Sequence, residues 1–183
     1  MSVKPDRWIR NMVFDFGLID PFSERVAGNG VISFGLQPAG YDARLDPKIL
    51  VFDWARAAGD SLDPLNPDRR FFFEKSADPF FDIPPRGFVE AMTMEYFRIP
   101  RNCLARGMGK TIYSSVGIGL NVSGINPGWE GRLRIHIANS SPVPIRIYGN
   151  QGIIHLEFEL LDGECEHPYG ELQGTRFQRQ ETL

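Results

Sequence analysis

Glycine and proline interrupt the chain at short intervals, and this spacing constrains its fold more than any other feature of the sequence. Nineteen glycines and fourteen prolines are spread over 183 residues, and the runs between them are rich in phenylalanine, of which there are fourteen. Short strands joined by tight turns have this composition. The sequence therefore predicts a mainly β barrel or sandwich, formed by a single domain over residues 1–183.

One helix is predicted ahead of the strands, over Pro5–Phe16. Its apolar residues recur at helical spacing, Pro5 suits a first-turn position, and Gly17 ends it. Loops are predicted over residues 20–30, 55–70 and 107–119, the last with a short element inside it, and a turn-rich tail from residue 162. Strands are predicted as short pieces within residues 31–45, in a strand–turn–strand unit within 70–100, and over Leu50–Trp54, Phe88–Glu95, Leu120–Ser123, Arg132–Ala138, Ile145–Tyr148 and Ile153–Leu161.

Charge and cysteine content narrow the classes of function. A net charge of −3 offers no basic face for long nucleic acid, although a local cluster could still bind a small anion. Cys103 and Cys165 are the only cysteines, which indicates a reducing, cytoplasmic setting. The opening segment MSVKPDRWIRN has no apolar run of the signal-peptide type, and no stretch approaches a membrane span. A soluble cytoplasmic protein without a membrane partner is expected.

Zinc chemistry is not predicted. Zinc needs cysteine, histidine or carboxylate ligands at matched spacing, and the zinc nucleobase deaminases carry His-x-Glu followed by Pro-Cys-x-x-Cys. His136, His155 and His167 have no such spacing. Cys103, in RNCLARG, has no local catalytic partner, so we predict a buried and inert thiol.

Two segments leave alternatives open. GMGKTIYSSVGIG, residues 107–119, contains Lys110 and several hydroxyls and could hold an anion through backbone N–H groups, but a plain glycine-rich turn explains it equally well.

In the predicted strand Arg132–Ala138, aliphatic residues alternate with Arg132, Arg134 and His136, which therefore share one face. On that face His136 is a hydrogen-bonded bystander, a catalytic group or, with Arg134, part of an anion site.

Several segments together resemble one family. They are SVKPDRWIR, GYDARL, IPPRGFVEAMTMEYFRIPRN, GKTIYSSVGIGLNV, INPGWEGRLRIHIANSSPVPIRIYGNQG and the terminal ELQG. Taken in order over nearly the whole chain, they are similar to the deoxycytidine triphosphate (dCTP) deaminases, which share a superfamily with the dUTPases. The resemblance implies a dUTPase-like distorted β-barrel of the jelly-roll type with an N-terminal helix, assembled as a homotrimer with active sites between subunits.

The resemblance also implies a chemistry. Family members bind a deoxynucleoside triphosphate with Mg²⁺, a water replaces the cytosine amino group without zinc, and a strand glutamate serves as the general acid and base. A C-terminal tail closes over the ligand. Transferred by position, the catalytic set is His136, Ser115 and Thr111, and the nucleotide-binding set is Lys110, Thr111, Asn126, Trp129, Arg134, Tyr169 and Gln173.

The departures from the family pattern fall on those same positions. Where the family strand reads like V-T-L-E-F-S-N, this chain has LRIHIAN, so His136 stands in place of the glutamate. In the phosphate loop Ile112 replaces a hydroxyl residue and Ser115 replaces an arginine, which removes a charge-assisted contact of about 1.5–3 kcal/mol. Many relatives have an acidic residue at Asn126, and in the tail Glu171 stands where they have a lysine.

Four functions are compatible with this pattern. The first is an enzyme with altered chemistry on a pyrimidine nucleotide or a related compound. The second is an ordinary dCTP deaminase that tolerates His136. The third is a catalytically silent trimer that binds a nucleotide or a protein partner. A dUTPase is the fourth and is the least favoured, because Asn126 and the phosphate loop both depart from its pattern.

Overall fold

The computed structural model describes residues 2–122, 124–175 and 177–183 of the chain. Helix α1 spans Asp6–Phe16, with Pro5 at its N-cap. It ends at Gly17, whose φ of 73° lies in the left-handed region that glycine adopts without a Cβ clash. The predicted helix is confirmed, with its first helical residue one position later.

The described residues also contain thirteen strands, of which β1 precedes α1, and a second, one-turn helix. Helix α2 is Thr111–Ser114. The strands are β1 Ser2–Val3, β2 Ile19–Asp20, β3 Val26–Gly28, β4 Val31–Gln37, β5 Gly40–Phe52, β6 Phe72–Ser76, β7 Phe81–Ile83, β8 Phe88–Arg98, β9 Cys103–Gly109, β10 Ile118–Asn121, β11 Glu130–Asn139, β12 Ile145–Ile147 and β13 Gly152–Leu160.

Every strand pairing in the described residues is antiparallel, and the main sheet curls into a half-barrel. Its path runs β1, β13, β5, β8, β11, β10, while β7 and β12 form a separate pair. Strand β5 turns the corner, because its first residues pair with β4 and β13 and its later residues pair with β6 and β8. The register against β8 shifts between Leu45 and Ile49, around Pro47, which has no N–H for the ladder. The predicted mainly β fold with an N-terminal helix is confirmed.

The structure corrects several local predictions. The pieces predicted within 31–45, with breaks at Gly35, Pro38 and Gly40, and the separate strand predicted over Leu50–Trp54 correspond to two strands, β4 and β5. Of the predicted breaks, Gly35 lies inside β4, Pro38 lies between the strands and Gly40 begins β5. Val26–Gly28 is a strand inside a predicted loop, and Gly107 and Gly109 belong to β9. The short element expected within 107–119 is α2. Ser123, the predicted end of β10, lies outside the described residues.

The core lies between the curled sheet and α1. Buried aliphatic residues from β5, β8, β11 and β13 fill it, and Ile9 closes it from the helix. Cys103 is fully buried in this core, and burial raises the pKa of its thiol to about 11. The inert thiol predicted from the sequence is therefore the state that the fold imposes. The described helices include none that is both long and apolar enough to cross a membrane.

Candidate functional site

Strand β11 places His136 beside two neighbouring strands. Its side chains alternate, with Ile135 and Ile137 buried and His136 exposed on the other face. In the strand register, His136 lies opposite Glu90 of β8 and opposite Asn121 of β10. The alternation predicted from the sequence is confirmed, and the register supplies the neighbours that periodicity alone does not identify.

His136 lies on the wall of a cavity of about 490 Å³, here called the His136 cavity. Its apolar wall includes Trp129 and Leu133, which are almost fully buried. Its polar lining is supplied by Asn121, Asn126, Arg134, His136, Tyr169 and Gln180. Among the described lining residues there is no carboxylate, so the cavity suits a polar ligand that is neutral or anionic.

Behind this wall, the carboxylate of Glu90 is the shared partner of two arginines and of His136. Its Oε2 accepts hydrogen bonds from Arg69 Nη1 at 2.5 Å and Arg134 Nη1 at 2.7 Å, and its Oε1 lies 3.6 Å from His136 Nε2. Burial alone would raise the pKa of Glu90. The interaction with His136, the hydrogen bond from Arg69 and the two guanidinium charges instead lower that pKa from 4.5 to about 2. Glu90 is therefore a carboxylate at any physiological pH.

The C-terminal segment supplies part of the wall of the His136 cavity. Trp129 Nε1 donates to the Phe177 carbonyl at 2.8 Å, and the backbone N–H of Arg132 donates to the Gln180 carbonyl at 2.7 Å. The Gln180 carboxamide oxygen accepts from Arg134 Nη2 at 2.5 Å when the amide is oriented by its partners. Gly131 leaves room for this segment, since a Cβ there would lie 3.0 Å from the Gln180 nitrogen. Arg134 is therefore held between Glu90 and the tail.

Lys110 and Thr111 line a different cavity of the same chain, of about 620 Å³, here called the Lys110 cavity. The Lys110 ammonium forms an ion pair with Asp42 and donates to Ser33 Oγ at 3.2 Å. Asp42 also faces His155 Nδ1 at 2.7 Å. Within one chain the charge of Lys110 is thus already matched by a carboxylate, and a phosphate would have to compete for it.

Two of the predicted site residues line neither cavity. Ser115 follows α2, is exposed, and donates from Oγ to the Ile112 carbonyl at 2.9 Å. Gln173 is exposed in the tail. Asn126, Trp129, Arg134, His136 and Tyr169, in contrast, share the His136 cavity. The roles of all these residues stay predictions.

Three residues around the His136 cavity have no pattern in the sequence that points to them. Glu90 sits in an ordinary-looking strand, Arg69 comes from a connection that reads as surface, and Gln180 follows the part of the tail that resembles the family. The one usable signal was that Glu90 is a charged residue in the most convincing predicted strand. Its closeness to His136 depends on pairing between segments 46 residues apart, which periodicity does not report.

The curled antiparallel half-barrel with an N-terminal helix is a dUTPase-like fold. The fold is similar to that of a solved structure of 2'-deoxycytidine 5'-triphosphate deaminase from Agrobacterium tumefaciens, with a TM-score of 0.63 and 19% sequence identity. The match covers 87% of this chain and 48% of that chain. At this identity the likeness concerns the fold alone.

Sequence comparison gives the family. A family model described as dCTP deaminase-like matches residues 4–161. A dCTP deaminase from Wolbachia sp. subsp. Drosophila simulans is 43% identical over 174 residues, which are 95% of this chain and 92% of the relative. One from Acidobacterium capsulatum is 40% identical over 183 residues, covering 100% and 97% of the two chains. The chain belongs to the dCTP deaminase-like family, which confirms the resemblance seen in the sequence.

Proposed function

We propose that the chain binds a pyrimidine nucleotide, or a related compound, in the His136 cavity and acts on it with His136 in place of the family's general-base glutamate. The observation that carries this proposal is the position of His136 on the cavity wall, half-exposed and beside an ionised carboxylate. An imidazole exchanges protons near neutral pH, so a histidine at this position has the chemistry of a general acid and base.

Glu90 cannot take over the role of the missing glutamate. With a pKa near 2 it does not hold a proton at neutral pH, and its Oε2 is already bound by Arg69 and Arg134. A general base for water has to accept a proton and then return it, which requires a pKa nearer the working pH. Proton transfer in this site is therefore assigned to His136.

The lining of the cavity supports a pyrimidine ligand. The amides of Asn121 and Asn126 offer both donors and acceptors for the polar edge of a base, and Trp129 and Leu133 offer apolar surface for its faces. Arg134 is the one arginine or lysine among the described residues that line the cavity, so it is the group there that can face a negative charge on the ligand. Magnesium enters the proposal only as a companion of the ligand's phosphates, because the described lining offers no carboxylate of the kind that Mg²⁺ prefers.

An ordinary dCTP deaminase is the second candidate. It is supported by relatives of about 40% identity that carry that name over nearly their whole length. It requires His136 to do the work of a glutamate in the same reaction, with Ser115 in the position of an arginine. A silent binder is the third candidate, and it requires only that the cavity bind its ligand without turnover.

Ammonia release with Mg²⁺ distinguishes the three candidates. The substrates are dCTP, dCDP, dCMP and deoxycytidine, and the proteins are wild type, His136→Glu and His136→Gln. We expect wild type to act on a compound other than dCTP, and His136→Gln to lose at least about a hundredfold in rate, the usual size of a general acid–base contribution. Ammonia release from dCTP by the wild-type protein would identify it as an ordinary dCTP deaminase.

Ligand-induced shifts in melting temperature, measured on the same proteins, complete the assignment. A ligand that stabilises wild type and His136→Gln equally, with no turnover in either, would identify a silent binder. If no pyrimidine compound changed the melting temperature of wild type, the proposed ligand class would be wrong.

A further inference from the structure

We infer that Glu90 is a positioning residue of this site, and that its carboxylate sets the orientation and the charge state of His136 while it anchors Arg134 at the cavity wall. The inference rests on the proposed role of His136 as acid and base. It goes beyond that role by adding a carboxylate from a neighbouring strand, which no family position discussed above supplies.

The first support is that the two carboxylate oxygens of Glu90 face different partners. Oε2 receives Arg69 at 2.5 Å and Arg134 at 2.7 Å, which fixes the carboxylate from two sides. Oε1 is directed at His136 Nε2, at an ion-pair distance of 3.6 Å. A carboxylate held in this way keeps a negative charge beside the Nε2 side of the His136 ring.

The second support is that solvent exposure is low for Glu90 and Arg134 and much higher for His136. The side chains of Glu90 and Arg134 are 12% and 11% exposed, whereas that of His136 is 51% exposed. The fixed members are therefore enclosed by protein, and the member assigned to proton transfer faces the cavity. A buried support beneath a reachable group is the arrangement that holds a reacting side chain in place.

The third support is the set of charges that face His136. Glu90 comes from β8, Arg134 from β11, and Arg69 from the 3₁₀ turn Arg69–Phe71, while the neighbours from β10 and the tail, Asn121 and Gln180, are neutral. Glu90 is the only carboxylate among these neighbours. Without it, the imidazole would face two guanidinium groups and no compensating anion, and its protonated form would be disfavoured.

This balance leads to a measurement that needs no substrate. In an NMR titration of the histidine ring signals, with His136→Gln used to assign the His136 resonance, we expect Glu90→Gln to lower the titration midpoint of His136 by about 1 pH unit or more. Glu24→Gln is the matched control, because Glu24 forms an exposed ion pair with Arg10 elsewhere on the molecule and should leave the midpoint unchanged. A folded Glu90→Gln variant with the wild-type midpoint would overturn the inference.

A second variant covers the case in which Glu90→Gln does not fold. Arg69 is 51% exposed, so Arg69→Gln removes a cation at little structural cost. We expect the His136 midpoint to rise in this variant, opposite in sign to the effect of Glu90→Gln. An unchanged midpoint would count against electrostatic coupling in the group.

The titration also separates this inference from the proposed function. If the midpoint shifts as expected but no pyrimidine compound binds or reacts, Glu90 positions His136 and the proposed ligand is wrong. If turnover is found, the pH profile of kcat/KM, which reports groups of the free enzyme, should move in Glu90→Gln by the same amount as the His136 midpoint, and a purely structural role would not move it.

Discussion

Two glutamates of strand β8, one fully buried and one partly buried, show how the surroundings decide what a carboxylate can do. Glu95 is fully buried and receives Arg44 through both its backbone N–H, at 2.9 Å, and its Nε, at 2.7 Å, and burial raises its pKa. Glu90, on the cavity side, has two arginines and a histidine, and its pKa falls to about 2. Glu95 braces the corner of the sheet, whereas Glu90 carries a permanent negative charge into the site.

The low pKa of Glu90 predicts a particular acid sensitivity. The native state binds fewer protons than the unfolded state between pH 4.5 and about 2, so the stabilisation by Glu90 is complete above about pH 5 and is lost as the pH falls toward 2. Denaturant unfolding of wild type at pH 6 and at pH 2.5 should therefore differ by about 2–3 kcal/mol more than in Glu90→Gln.

The control for this comparison is Glu74→Gln, which breaks an exposed ion pair with Lys48. Solvent screens such a pair, so the pH dependence should stay close to that of wild type. Equal acid sensitivity in wild type and Glu90→Gln would show that the Arg69 and Arg134 contacts do not stabilise the ionised carboxylate in solution.

At the scale of elements, sequence patterns predicted what lies within a segment and missed what lies between segments. The alternation of β11 and the capped helix α1 depend on neighbours a few residues apart, so both were predicted. Gly35 is predicted to interrupt a strand but lies inside β4, and local propensity does not report that β5 continues through Pro47 around the corner of a sheet. The pairing of Lys110 with Asp42 joins residues 68 apart and left no local signal.

Asp42 connects several of these elements, and its loss should be costly. It lies on β5, pairs with Lys110 after β9, and faces His155 on β13, with its side chain only 6% exposed. Asp42→Asn would leave a largely buried ammonium without its anion, so we expect a loss of about 3–5 kcal/mol in the free energy of unfolding.

Asp82→Asn is the matched control for Asp42→Asn. Asp82 forms an ion pair with Arg146 at the surface, and this pair is screened by solvent, so its loss should change stability little. Urea denaturation followed by circular dichroism measures both variants. Equal stability of Asp42→Asn and wild type would mean that water replaces Asp42 as the partner of Lys110.

At the scale of the whole molecule, the predicted site residues divide between two cavities. His136, Arg134 and Asn126 line one, and Lys110 and Thr111 line the other. The sequence could place all of them in one site only through the resemblance, which implies a homotrimer with sites between subunits. One chain by itself does not bring them together, so the assembly is the part of the prediction that still depends on the family.

Mixing experiments test this assembly. If the chain forms the homotrimer that the resemblance implies, its mass by light scattering should be three times that of the chain. Subunits carrying His136→Gln, mixed with subunits carrying Thr111→Val, should then regain part of the ligand response that each variant lacks alone. Each variant taken through the same mixing with itself is the control. No recovery in mixed trimers would mean that each subunit completes its own site.

The C-terminal segment that lines part of the His136 cavity bears on the speed of ligand exchange. Phe177 and Gln180 are hydrogen-bonded to Trp129 and Arg132 of the cavity's other wall, and if a ligand enters past them, this segment has to lift first. The observed association rate should then level off at high ligand concentration, at the rate of opening. The same opening step would also precede ligand release, so it would lengthen the residence time of a bound ligand. Dissociation would then be slow even if the contacts between the cavity and the ligand were weak.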